Sequence, residues 1–275
     1  MENTIALNTG AHMPLLGLGT YKMTDAQDTP RVIRDAFSMG YRLIDTASSY
    51  KNEDLVGQAM KDCSLKREDL FVTTKVWNTA QRIGNVEGAF ERSLDRLGLD
   101  YVDLYMIHWP VAGCYIDTWH VLEDLYRSGR ARAIGVCNFN EIQLTDLLEH
   151  SSVVPAVNQI EFHPLNNEDS LRLFCQKNGI VVQAYSPLAR GAYLNREVLK
   201  KIAERHYRSV PQVGLRWLVQ KGCSVIPKAA QLDRLLENTQ IFDFTLDETE
   251  MATIDSLNEN YHSANVPEDM QQSGM

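Results

Sequence analysis

RLIDTASSYKNEDLVGQAMKDCSLKREDLFVTTKVW, residues 42–77, holds one full turn of the rhythm that decides the fold. A short apolar run, candidate strand 42–45, ends on the ionisable Asp45; an amphipathic segment follows; a second candidate strand, 70–75, runs from the apolar Leu70 to Val72 on to Lys75. The same alternation gives further candidate strands at 15–19, 102–107, 132–136, 156–160, 180–184 and 224–226, eight in all. Strands that alternate with helices indicate a parallel sheet covered by helices. Between them, Phe90, Leu94 and Leu97 recur at helical spacing within Val86–Leu97, and Ser209 with Pro211 can start a helix that Gly222 stops. Before the first strand, IALNTGAHMPLL reads as a hairpin turning near Asn8 to Gly10 that plugs the lower end of a barrel.

Eight strand and helix units in 275 residues fit a single α/β domain over 1–275, a (β/α)8 TIM barrel, whose usual size is roughly 250 residues. A doubly wound sheet is the competing architecture, suggested by Gly17 and Gly19. A dinucleotide fingerprint needs a third glycine where Lys22 stands, on a turn leading straight into a helix.

Composition narrows the function. A net charge of -9 opposes nucleic acid and anionic membranes as partners, because polyanions are repelled at long range. The start MENTIALNTG lacks the basic and apolar regions of a signal peptide, and no apolar run approaches the roughly 20 residues of a membrane span, so a cytoplasmic location and no membrane partner are expected. Five scattered cysteines, at 63, 114, 137, 175 and 223, suggest reduced thiols and no zinc site. Monomer is the default for a barrel of this size.

An ionisable or polar group stands at the exit of strand after strand: Asp45, Lys75, His108, Asn138, Gln159, Tyr185 with Ser186, and Lys228. In a β/α barrel these exits converge on one face, where active sites are built. Asp45 and Lys75 are 30 residues apart and Lys75 and His108 33, about one unit each, so the three should meet. Singly, Asp45 could cap a helix, Lys75 could be a solvated lysine, His108 a core histidine and Tyr50 an exposed loop residue. Together they suit carbonyl reduction: a buried Lys75 needs Asp45 as counter-ion, and a cation facing Tyr50 would lower its pKa from about 10 and make it a better proton donor.

The motifs DTASSYKNE, TTKVWN, DLYMIHWP, IGVCNF, NQIEFHP, AYSPL and IPK occur in this order. With them the chain resembles the aldo-keto reductase superfamily, and is most similar to its bacterial 2,5-diketo-D-gluconate reductase-like branch. The resemblance implies a catalytic tetrad of Asp45, Tyr50, Lys75 and His108, with Tyr50 as general acid, Lys75 and Asp45 tuning it and His108 orienting the carbonyl. It implies NADPH/NADP+ as cofactor and no metal. Asn138 and Gln159 would hold the carboxamide and Tyr185 would stack on the nicotinamide, with Gly19, Thr20, Ser186 and Leu188 as further cofactor contacts. Lys228 and Arg234 match positions for the 2′-phosphate, and Glu237 and Asn238 positions near the adenine. Two departures are Ala229, where a serine often follows the lysine, and Cys137, where a serine often precedes the asparagine.

Tyr21, Met23, Trp77 and Trp109 are expected to line the substrate side. The short link from Pro110 to the helix near Thr118, and the brief polar tail ending VPEDMQQSGM, suggest an open pocket for small dicarbonyls, sugar-derived ketones and aromatic aldehydes. A Schiff-base aldolase using Lys75 is the rival enzyme, opposed by the pairing with Asp45, which would keep the amine protonated. A nicotinamide-binding sensor without turnover is the rival outside catalysis.

Overall fold

The computed structural model describes residues 3–271; the last four residues of the tail, 272–275, lie outside the described residues, as do residues 1 and 2. A hairpin comes first, β1 (Thr4–Ala6) antiparallel to β2 (His12–Pro14). Its turn ends on Gly10, whose φ of +83° a side chain would strain. Eight parallel strands follow: β3 (Gly17–Gly19), β4 (Leu43–Asp45), β5 (Phe71–Val76), β6 (Leu104–Ile107), β7 (Ile134–Cys137), β8 (Val157–Glu161), β9 (Val181–Tyr185) and β10 (Ser224–Val225). They pair in chain order, and the two ends meet through a parallel bridge between Leu16 and Val225 and the bond from the Val225 N–H to the Leu15 carbonyl, 2.8 Å. The sheet is thereby a closed (β/α)8 barrel with the expected hairpin at its start.

Two apolar layers hold it. Outside the strands, amphipathic helices bury one face each; the helix Val86–Leu97 buries Val86, Ala89, Phe90, Leu94 and Leu97 and stops at Gly98 with φ +65°. The helix Val210–Gln220 starts on a capping box in which Ser209 and Gln212 satisfy one another's backbone N–H groups. Inside the barrel, Leu43, Leu104, Met106, Ala133, Val157 and Ile226 pack with Leu7 and Met13 of the hairpin, so the lower end is filled with apolar side chains. Gly17 makes this fit possible, because a Cβ there would fall 2.1 Å from Leu43 Cδ2. The Gly17-Leu18-Gly19 run therefore serves close packing within a barrel strand.

Strand register sets the upper layer. Asp45 lies beside Gly19 and Thr73, Lys75 beside Met106, and Gln159 between Cys137 and Gln183, with Ser224 next to Gln183. The barrel interior is thus apolar below and polar above, and the polar layer opens on the strand exits. Among the described residues no helix is long and apolar enough to cross a membrane.

Candidate active site

The strand exits surround a cavity of about 400 Å³ lined by Asp45, Tyr50, His108, Asn138, Gln159 and Tyr185, with Trp77, Trp109 and Tyr21 as aromatic walls and Gly19, Ser186 and Lys228 on the cofactor side expected from the sequence. A larger and more open depression, about 930 Å³, lies at the other end beside the hairpin and Arg42, Asp103 and Arg132, far from this chemistry.

Lys75 is fully buried, and its ammonium protons go to both carboxylate oxygens of Asp45, at 2.7 and 2.8 Å, and to the Thr46 carbonyl at 2.9 Å. Tyr50 closes a 3-10 turn, Ser48–Tyr50, which Ser48 pins by donating to the Lys75 carbonyl at 2.9 Å. The turn lays the Tyr50 ring 5.1 Å from Lys75 Nζ and 5.6 Å from the His108 ring. Among the described residues the Tyr50 hydroxyl has no hydrogen-bond partner, which leaves it free to meet a ligand. The expected lowering of its pKa runs the other way: burial first, then the charge of Asp45, pushes the phenol well above its usual value. Lys75 does not offset this because its charge is already paired with Asp45. His108 is shifted down by burial and then by Lys75, so its imidazole is neutral at physiological pH; Ser49 Oγ lies 3.4 Å from its Nδ1 and Trp77 packs edge-on at 5.0 Å.

On the other wall, Asn138 sits at φ +63°, donates to the His108 carbonyl at 3.0 Å and accepts the Tyr185 hydroxyl at 2.8 Å. Gln159 donates to Asp45 Oδ2 at 2.8 Å. Lys228 reaches the Lys22 carbonyl at 3.2 Å, and burial, then the Lys22 charge, lowers its pKa. Cys137, in the position where a serine often stands, is buried and in weak sulfur contact with Gln159 Oε1 at 3.8 Å and Met106 Sδ at 3.9 Å.

Other expected site residues stand outside the cavity lining. Met23 is buried in the outer core, and its carbonyl accepts from Asn52. Thr20 is buried with its hydroxyl on the Asp45 carbonyl, 2.9 Å, and Leu188 packs against the outer core. Arg234, Glu237 and Asn238 share the helix Leu232–Thr239, Arg234 exposed and Asn238 buried.

The tail is more than a brief polar end. Ala264, Asn265 and Pro267 line the cavity, and Met270 is buried against Trp109 and Val111. Glu161 anchors this segment by accepting from the backbone N–H groups of Ser263 and Ala264 at 2.7 and 3.1 Å, and Asp269 pairs with Arg82 at 2.5 Å. The pocket is therefore walled where an open one was expected. Sequence reasoning also missed Ser49 and Arg190 in the lining; Arg190 is aimed by a run of left-handed residues, Ala189 and Arg190, that no motif announces.

The Aldo/keto reductase family model matches residues 15–259. The chain is 45% identical over 270 residues to glyoxal reductase of Bacillus subtilis (strain 168), covering 98% of each sequence. Among solved structures, an aldo/keto reductase from Brucella melitensis superposes with a TM-score of 0.90 at 43% identity, covering 94% of this chain and all (100%) of that one. A Bombyx mori aldo-keto reductase in complex with NADP superposes with a TM-score of 0.91 at 36% identity, covering 96% and 95%.

Proposed function

Because this chain belongs to the Aldo/keto reductase family, we propose that it reduces small aldehydes, ketones or dicarbonyls to alcohols with NADPH, using Tyr50 as general acid. The observation that carries this reading is the Tyr50 hydroxyl, unpartnered among the described residues and set in a cavity beside a buried, charge-paired Lys75 and a neutral His108.

The residues present fit a nicotinamide cofactor. Amide groups of Asn138 and Gln159 face the cavity beside the Tyr185 ring, and Lys228 and Arg190 put positive charge on its lining in a chain that is acidic overall. When bound, the cofactor supplies the hydride. Tyr50 then gives its proton to the carbonyl oxygen; its high pKa keeps that proton in place beforehand, and an alkoxide is basic enough to take it. Neutral His108 retains an N–H to hold the same oxygen. Trp77, Trp109 and the tail exclude water around the substrate. Schiff-base chemistry at Lys75 is disfavoured because its ammonium is buried and spent on Asp45 and Thr46. In this reading the enzyme is a cytoplasmic protein of one domain and a monomer, and sedimentation of the purified chain would check the monomer.

The test is loss of NADPH absorbance with a panel of small carbonyls, beside NADH and a Tyr50→Phe variant. Turnover should fall by about 10²–10⁴-fold in the variant while NADPH binding is kept. NADPH binding without carbonyl reduction by the unmodified chain would favour the sensor, and unchanged turnover in Tyr50→Phe would remove Tyr50 as the acid.

A further inference from the structure

Asp45 and Gln159 connect to a line of buried side chains that the reaction itself does not use. Gln159 Nε2 donates to Asp45 Oδ2 at 2.8 Å and to Gln183 Oε1 at 2.6 Å. Gln183 Nε2 donates to Ser224 Oγ at 3.2 Å, and Ser224 Oγ donates to the Pro14 carbonyl at 2.9 Å. All three side chains are almost wholly buried, and they stand on register neighbours of β8, β9 and β10.

The direction of this chain is forced from both ends. The Pro14 carbonyl can only accept, so Ser224 must spend its proton there and offers Gln183 an oxygen. Gln183 must therefore turn its NH₂ toward Ser224 and its carbonyl oxygen toward Gln159. At the far end Asp45, paired with Lys75, is an acceptor as well. A flipped Gln159 would set its carbonyl oxygen against the Asp45 carboxylate and its NH₂ away from every acceptor named, leaving buried polar groups unpaired. Both protons of the Gln159 amide are thus committed, and its Oε1, met among the described residues only by the weak Cys137 thiol, is what it can show the cavity.

We infer that Gln183 and Ser224 are positioning residues that fix Gln159 as a hydrogen-bond acceptor toward the bound cofactor, selecting a ring substituent that carries a donor. The carboxamide of nicotinamide has such a donor; an acetyl group in its place does not. This rests on the cofactor reading above, and it ties cofactor choice at the mouth to the backbone of the hairpin at the bottom.

The experiment compares NADP+ with its 3-acetylpyridine analogue by quenching of tryptophan fluorescence, in the unmodified chain and in Gln183→Leu, Ser224→Ala and Ser224→Thr. The unmodified chain should bind NADP+ the more tightly. Gln183→Leu should weaken NADP+ by about five- to tenfold, one hydrogen bond's share, and the analogue by less than about twofold. Ser224→Ala should give the same selective loss on a smaller scale, and Ser224→Thr, which keeps the hydroxyl, should restore it; this smaller change keeps the test open if Gln183→Leu does not fold. Equal losses for both ligands, or none, would overturn the inference and leave the cofactor reading standing. An unmodified chain that binds neither ligand would sink the cofactor reading and this inference with it.

Discussion

Lys75 Nζ lies 2.7 and 2.8 Å from the two carboxylate oxygens of Asp45, with both side chains sealed from solvent. Removing either partner strands a buried charge, so Lys75→Met and Asp45→Asn should each cost about 3–5 kcal/mol. The double variant should cost clearly less than their sum, because no unpaired charge remains. Urea denaturation of the four chains reads this coupling directly. Two small, additive losses would mean that the pair is solvated.

His108 carries a pH signature. Its folded pKa is depressed by burial and by Lys75, whereas the unfolded chain takes up a proton at about 6.5. Below that value the unfolded state binds a proton that the folded state refuses, so stability should fall as pH drops from 7.5 to 5.5. Above it both states are neutral and His108 contributes no slope. Denaturation midpoints across this window should decline less steeply in His108→Gln; an identical decline would place the titration on another group.

The meeting of Asp45, Lys75 and His108 was legible in the sequence because one regularity reports it, a polar residue at each strand exit with about one β/α unit between exits, and Tyr50 followed from its place on the loop just beyond Asp45. The helix Val86–Leu97 and the Ser209 cap were equally plain, since periodicity and capping act over a few residues. What escaped depends on geometry between distant segments. Tyr50 was expected to have its pKa lowered by Lys75, but burial and the charge of Asp45 raise it. The tail carries no periodicity, and its place over the mouth comes from small sets of bonds to Glu161 and Arg82 that join residues roughly 100 and 187 positions apart.

Those bonds make the tail a separable part of the pocket. Asp269 binds Arg82 at 2.5 Å and Asn78 at 3.1 Å, but the pair is partly exposed, so Asp269→Ala should cost no more than about 1 kcal/mol of stability. It should still loosen Met270 from Trp109 and with it the wall formed by Asn265 and Pro267. The expected result is a rise of about threefold or more in KM for apolar aromatic aldehydes, with kcat held, since Asp45, Tyr50, Lys75 and His108 are not touched. A fall in kcat with no change in KM would place the effect at those four residues and not at the wall.

Lys228 gives the sharpest check on cofactor choice. Its ammonium lies on the cavity lining, bonded to the Lys22 carbonyl at 3.2 Å, and burial with the nearby Lys22 charge holds its pKa below the usual lysine range. A phosphate placed there would relieve both costs by supplying a counter-charge and a charge-assisted bond, whereas a ribose hydroxyl would relieve neither. Lys228→Ala should therefore lower the preference for NADPH over NADH by about tenfold in dissociation constant. The loss should fall on NADPH alone and shrink as salt screens the charge. Arg234, exposed on the helix Leu232–Thr239 and outside the cavity lining, should contribute less than Lys228 if the phosphate is read at the mouth. Equal weakening of both cofactors in Lys228→Ala would mean that this lysine shapes the mouth without reading the phosphate, and that any NADPH preference is set on that helix.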